Sequence, residues 1–169
     1  NMGSARFFEM IAANDVFGVW HAIHNGFEVN SFDDEKGRGI MTPLSFALWN
    51  VRPEIVRVLL KSGADPDFHN PGFFTPLTIA VLIATADAPH AEPDAARENL
   101  HLLLAASADV NGADQHGFTP LITAVGGRNW VKSLEVTKTL IEEGADINFR
   151  SSTDELSPLM WALSHAWME

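Results

Sequence analysis

Four phased copies of one short motif constrain this chain more tightly than anything else in it. Thr-Pro-Leu begins at Thr42, Thr75 and Thr119, and Ser-Pro-Leu at Ser157, so the starts lie 33, 44 and 38 residues apart. A threonine or serine oxygen suits a helix N-cap, and proline suits the first helical position, where no backbone N–H is needed. A second motif keeps step: Gly63-Ala64-Asp65, Ser107-Ala108-Asp109 and Gly144-Ala145-Asp146 stop a helix, and the next start follows 12, 12 and 13 residues later. In the most regular copy Leu44, Ala47 and Leu48 predict a short helix. Pro53 closes it and opens a second helix carrying Ile55, Val58 and Leu59. The unit is turn, short helix, tight loop, longer helix, stop. One Thr-Pro-Leu would be chance, but four copies with matching stops are an architecture.

A period near 33 residues, built from a turn and two helices with Thr-Pro-Leu opening the first, resembles the ankyrin repeat family. The resemblance covers nearly the whole chain. It implies an all-α fold: a solenoid of stacked helix-turn-helix pairs with projecting β-hairpin-like connectors. On this reading Asn1–Ser4, with a residue ahead of Met2, are a leftover of cloning, and 5–169 form a single domain. Its repeats run approximately 5–38, 39–71, 72–115 and 116–152, with a partial one at 153–169. The histidine that usually follows Thr-Pro-Leu is replaced by Ser45, Thr78, Ile122 and Met160. The two hydroxyls can keep part of its local hydrogen bonding; Ile122 and Met160 cannot.

In chain order, the first repeat lacks Thr-Pro-Leu. Phe7, Phe8, Ile11 and Ala12 predict its first helix; Asp15 caps a second with Val16, Val19, Ala22 and Ile23, stopped at Gly26. A terminal repeat needs one polar outer face, so an atypical sequence is expected. The connector Ser31–Met41 carries Asp33, Asp34, Glu35, Lys36 and Arg38 and predicts a long finger. In the third repeat the extra length falls in the Ala/Pro-rich stretch Thr85–Pro93, an exposed loop, after which Asp94 is expected as a cap. In the fourth, Gly126-Gly127 ends the first helix and Ser133 is expected to cap the next. The fifth supplies one helix, so either the chain continues past Glu169 or this half repeat is a cap, and Trp161 and Trp167 need cover. Stacking should align Leu44, Leu77, Leu121 and Leu159, and likewise Leu59/Leu60, Leu103/Leu104 and Leu140/Ile141.

Charge narrows the partners. With 11 basic against 22 acidic residues the net charge is −11, which argues against nucleic acid and anionic membranes. The absence of cysteine excludes disulfides, thiolate metal sites and a Cys nucleophile, and fits a reducing cytoplasm. No stretch approaches the ~20 apolar residues that span a bilayer.

Chemistry-bearing motifs are not found. There is no Gly-Lys-Ser/Thr phosphate loop, and Gly37-Arg38-Gly39 is too short for a dinucleotide turn. His90-Ala91-Glu92 lacks the cysteines that a zinc deaminase requires. His21 and His24 share one helical face without a third ligand nearby. The expectation is no enzyme, no cofactor and no metal.

What remains is binding of another protein by a monomeric chain, with self-association through the C-terminal half repeat as the weaker option. The resemblance implies that connectors project as fingers and first helices line a concave face. Met41, Phe74, Phe118 and Leu156 stand just before each start motif, apolar where solubility favours polar residues. Trp49, Asn50 and Leu82 lie near the ends of first helices, and His116 is at a finger tip, with His69, Asn70, Gln115 and Arg150 as a polar rim. This row reads either as contact anchors or as an extension of the core between fingers. Two functions fit: an interaction scaffold complete in itself, or a regulatory or targeting domain of a larger protein whose activity lies elsewhere.

Overall fold

Each start motif does what its chemistry dictates. Thr42, Thr75 and Thr119 are buried, and their Oγ1 atoms accept from the backbone N–H groups of Ser45 (3.1 Å), Thr78 (3.1 Å) and Ile122 (3.3 Å). The following prolines open α3 (Pro43–Trp49), α5 (Pro76–Thr85) and α7 (Pro120–Val125), and Pro158 opens α9 (Pro158–Ala166). Thr42 Oγ1 in turn donates to the buried Ser45 Oγ at 3.1 Å, and the Thr75 and Thr78 hydroxyls meet at 2.8 Å. The second helices are α4 (Pro53–Lys61), α6 (Pro93–Ala105) and α8 (Trp130–Glu142), preceded by α1 (Ser4–Ala12) and α2 (Val16–His24), with Asp15 capping α2 through the Gly18 N–H. The computed structural model describes residues 3–32, 41–69, 72–86, 92–153 and 155–166. Expectations for the acidic finger at 33–40, for Asn70, for most of the 85–93 insert and for Trp167 fall outside them.

Two rows of helices result. In one, α1, α3, α5, α7 and α9 each pack on the next; in the other α2 packs on α4 and α4 on α6, while α8 leans on α7 and α5. Among the described residues there are nine helices and no strand, so the architecture is a helix-turn-helix solenoid. Leu44, Leu77 and Leu121 are buried in register through the inner row, and Leu59, Leu103 and Leu140 through the outer. Fully burying each such side chain is worth about 1.5–3 kcal/mol.

Three expectations need correction. Leu159 occupies the register of Leu121 but is exposed, because no described helix covers the far side of α9. Ile141 is exposed and Leu60 and Leu104 are half-buried, since these positions sit at the edge of the outer row. The caps move as well. Proline at the first position starts α6 at Pro93, leaving Asp94 in the first turn where its charge favours the helix dipole. Asn129 caps α8 by accepting from the Lys132 N–H at 3.1 Å, four residues before Ser133, and the earlier start gains a turn.

Every second helix ends in the same way. Gly26, Gly63, Ser107 and Gly144 have φ of 88°, 91°, 61° and 93°, and the residue after each donates back to the helix, as Ala64 N to Leu59 O at 3.0 Å. Ser107 alone of the four carries a Cβ into this left-handed conformation, which costs about 1–2 kcal/mol, partly offset by glycine's greater chain entropy. Ser107→Gly is therefore expected to stabilise the chain by about 0.5–1 kcal/mol, read as a higher denaturant midpoint.

Candidate partner-binding face

The residues of the proposed contact row divide by what else they do. Trp49, the last residue of α3, is 41% exposed although Leu44, Ala47 and Leu48 of the same helix are buried. Its neighbour Asn50 caps the helix and spends its side-chain N–H on the Phe46 carbonyl at 2.8 Å. Met41 and Leu82 are half-buried. Phe74 is half-buried against the core and sets its edge on Phe73 at 5.3 Å. Phe118 is half-buried between His116 (6.3 Å) and Trp161, whose ring it meets edge-on at 5.3 Å. Leu156 is half-buried, and its carbonyl accepts from Ser151 N at 3.2 Å. His116 is exposed at the tip of its turn. Trp161 thus finds its cover in Phe118, a residue of the preceding finger.

The fingers are hydrogen-bonded turns. In the one from Asp114 to Phe118, Asp114 N donates to Phe118 O (3.1 Å) and Gly117 N to Asp114 O (2.9 Å). The buried Asp114 carboxylate accepts from the His116 N–H at 2.8 Å and the Phe118 N–H at 3.0 Å, which fixes the turn that presents both side chains. Adjacent fingers are tied together: Gln115 Nε2 donates to Gly72 O at 3.0 Å, and Thr153 Oγ1 donates to His116 O.

A further surface extends the face of α2 that His21 and His24 share, adding Phe17 and Trp20 to it. Phe17, Trp20, His21 and His24 stand on the side of α2 away from Val19 and Ala22, and their rings form a row, Phe17–Trp20 at 6.0 Å, Phe17–His21 at 6.0 Å and Trp20–His24 at 3.9 Å. Their spacing of three and four residues is the signal. Beside them an open hollow of about 850 Å³ is lined by Arg6, Met10, Phe17 and His21. The two histidines are engaged locally: His24 Nδ1 lies 2.9 Å from Trp20 O, and His21 lies 3.1 Å from Asn25 Nδ2. Among the described residues no group of three or more His, Cys, Asp or Glu side chains is placed to hold a metal ion, and no helix is long and apolar enough to cross a membrane.

The model of the ankyrin repeat family matches residues 41–71 and 116–152. An ankyrin repeat protein of Fowlpox virus (strain NVSL) is 40% identical over 60 residues, which is 36% of this chain and 11% of that protein. Alpha-latrocrustotoxin-Lt1a of Latrodectus tredecimguttatus is 30% identical over 118 residues, 70% of this chain and 7% of that protein. The chain therefore spans about a tenth or less of the length of these relatives.

Proposed function

We propose, from the premise that this chain carries ankyrin repeats, that it is a non-catalytic module holding a partner protein against its first helices and connector fingers, in the cytoplasm. Ankyrin repeats are in general protein–protein interaction modules. The observation that carries the reading is Trp49: a large aromatic left at the surface by a helix whose core side is already filled by Leu44, Ala47 and Leu48. Exposed tryptophans of this kind are the usual anchors of an interface. Phe118, His116 and Leu156 extend the surface along the next fingers, and Phe74 serves mainly to support it. The net charge of −11 weighs against nucleic acid as the partner.

A second reading follows from the length of the relatives: the same surface belongs to a regulatory or targeting part of a larger protein. Both readings share one test. Trp49→Ala is expected to lower capture of the partner at least tenfold in a pull-down while leaving the melting temperature within about 2 °C, because Trp49 contributes little to the core. Equal capture of the same protein by both chains would remove the groove from consideration.

A further inference from the structure

A turn follows each stop, and one of these turns holds a glycine that its backbone does not require. The residues four places after the stops are Asn30, Asp67, Asn111 and Asn148, followed by Ser31, Phe68, Gly112 and Phe149. The last three turns are built alike: Phe68 N, Gly112 N and Phe149 N donate to Asp65 O, Asp109 O and Asp146 O at 3.2, 3.1 and 3.3 Å. Phenylalanine fits this place twice, and Gly112 lacks the positive φ that would call for glycine. A Cβ there would stand 3.2 Å from Asp109 O, a contact relieved by a shift of a few tenths of an ångström. Gly26, which follows Asn25 in the chain's other Asn-Gly pair, is accounted for by its φ of 88°. What Gly112 supplies is an unshielded backbone nitrogen beside the Asn111 amide. That amide is a clamp between repeats: Nδ2 donates to Gly144 O at 3.3 Å and Oδ1 accepts from Asp146 N at 2.7 Å. It spans the thinnest seam of the outer row, since α2 packs on α4 and α4 on α6, whereas α8 leans inward on α7 and α5. Between α6 and α8 lies a gap of about 40 Å³ lined by Leu100, His101, Val136 and Thr139, wide enough to admit water. Across it the Arg97–Glu135 pair (3.0 Å) is half exposed.

We propose that Asn111-Gly112 is a self-modifying site, at which spontaneous deamidation records opening between the third and fourth repeats in one direction only. When the stop loop at 144–146 lifts away, the Asn111 amide loses both its partners. Gly112 N, released from Asp109 O, gives its proton to solvent and attacks Asn111 Cγ. The N–Cγ bond forms, the Cγ–Nδ2 bond breaks, and Nδ2 takes a proton from solvent and leaves as ammonia. Water then opens the cyclic imide. Addition at Cγ gives aspartate, and addition at the backbone carbonyl of residue 111 gives isoaspartate, with the chain rerouted through Cγ. The net exchange is water in and ammonia out, with no change of oxidation state. In the closed array the nucleophile and both ends of the amide are engaged, so the rate follows the population of the open form. The product cannot restore the clamp, because a carboxylate accepts but does not donate, and the bond to Gly144 O is lost. Asp67, at this register one repeat earlier, shows the half that survives: it accepts from Asp109 N at 2.8 Å. Each opening thus makes the next one easier.

The test is a time course of the intact chain at mildly alkaline pH, with peptide mapping by mass spectrometry at Asn25 and Asn111. Asn111 is expected to convert to aspartate and isoaspartate, at least tenfold more slowly than in the urea-unfolded chain. Arg97→Glu turns the ion pair of the seam into a repulsion and should speed conversion about threefold, with Asn25 unaffected. Adding Glu135→Arg should bring the slow rate back, which a general loss of stability would not do. Gly112→Ala should slow conversion about tenfold by shielding the nitrogen, with the melting temperature within about 2 °C of the parent chain. Asn111→Asp, made directly, should raise hydrogen exchange at Ala145 and Asp146 about fivefold, the value of one lost hydrogen bond. Trp49→Ala should leave the rate unchanged, since the site stands independently of the binding surface. Conversion of the folded chain at the unfolded rate, indifference to Arg97→Glu, or an unaltered rate in Gly112→Ala overturns the site. An Asn111 that stays intact while Asn25 converts overturns it too, because the reaction then reports fraying of α2 alone.

Discussion

Leu121→Ala is expected to cost about 2–5 kcal/mol, because the side chain is 2% exposed in a close-packed interior that relaxes only partly around the cavity. Leu121 lies in α7, which packs on α5, α8 and α9 together. Stacked repeats derive their stability from neighbour interfaces, so the loss should spread in both directions along the array. Hydrogen exchange should show α7 and α9 losing protection first, since α9 rests on α7 with nothing described beyond it. Leu159→Ala is the internal control. It is the same residue at the same register, and its 67% exposure limits the expected change to about 0.5 kcal/mol. An unchanged denaturant midpoint for Leu121→Ala would dismiss the stacking register, and with it the assignment of Leu159 to an uncovered face.

That contrast also shows what the residues could and could not announce. Thr-Pro-Leu and Gly-Ala-Asp state local backbone conformation, a cap and a stop, and local chemistry was enough to place α3, α4, α5 and α7 and to phase the stack. The same motif at Ser157 cannot state whether anything lies against its leucine, because burial depends on a neighbour that α9's own sequence does not encode. The shifted caps have a different cause. Asn129 and Ser133 are both competent cap residues, and choosing between them needs the packing of α8 on α7. For the contact row the limit was directional. Apolar character before each start motif was visible, but only coordinates separate Trp49, which faces outward, from Phe74, which packs on the core, and Phe118, which braces Trp161. Asn30 bonds Gly63 O and Asp65 N, Asp67 bonds Asp109 N, and Asn111 bonds Gly144 O and Asp146 N, yet in the sequence these residues show only as the position four after each stop. Nothing local indicated that the side chain reaches the following repeat.

Gly117→Ala is expected to destabilise the chain by about 2–5 kcal/mol, from two sources that can be measured apart. Its φ of +75° places any L side chain in the left-handed region, at about 1–2 kcal/mol. A Cβ there would also lie 2.6 Å from Ser152 N and 2.4 Å from Ser152 Oγ, and relieving such overlap costs a further 1–3 kcal/mol, roughly. Gly63→Ala isolates the first source, because its φ is +91° and its Cβ would meet nothing within 4 Å. Removing the hydroxyl with Ser152→Ala should rescue Gly117→Ala only in part, since the 2.6 Å overlap with the backbone Ser152 N stays. The finger from Asp114 to Phe118 must then separate from 151–153. That breaks the bond from Thr153 Oγ1 to His116 O and draws the Phe118 ring off Trp161, so the emission of Trp161 should shift to the red at temperatures where α3 to α6 remain folded. His116 and Phe118 would move with it, which makes this glycine the hinge between stability and the proposed surface. If Gly117→Ala and Gly63→Ala cost the same, the fingers are not in contact and the surface they form is not fixed.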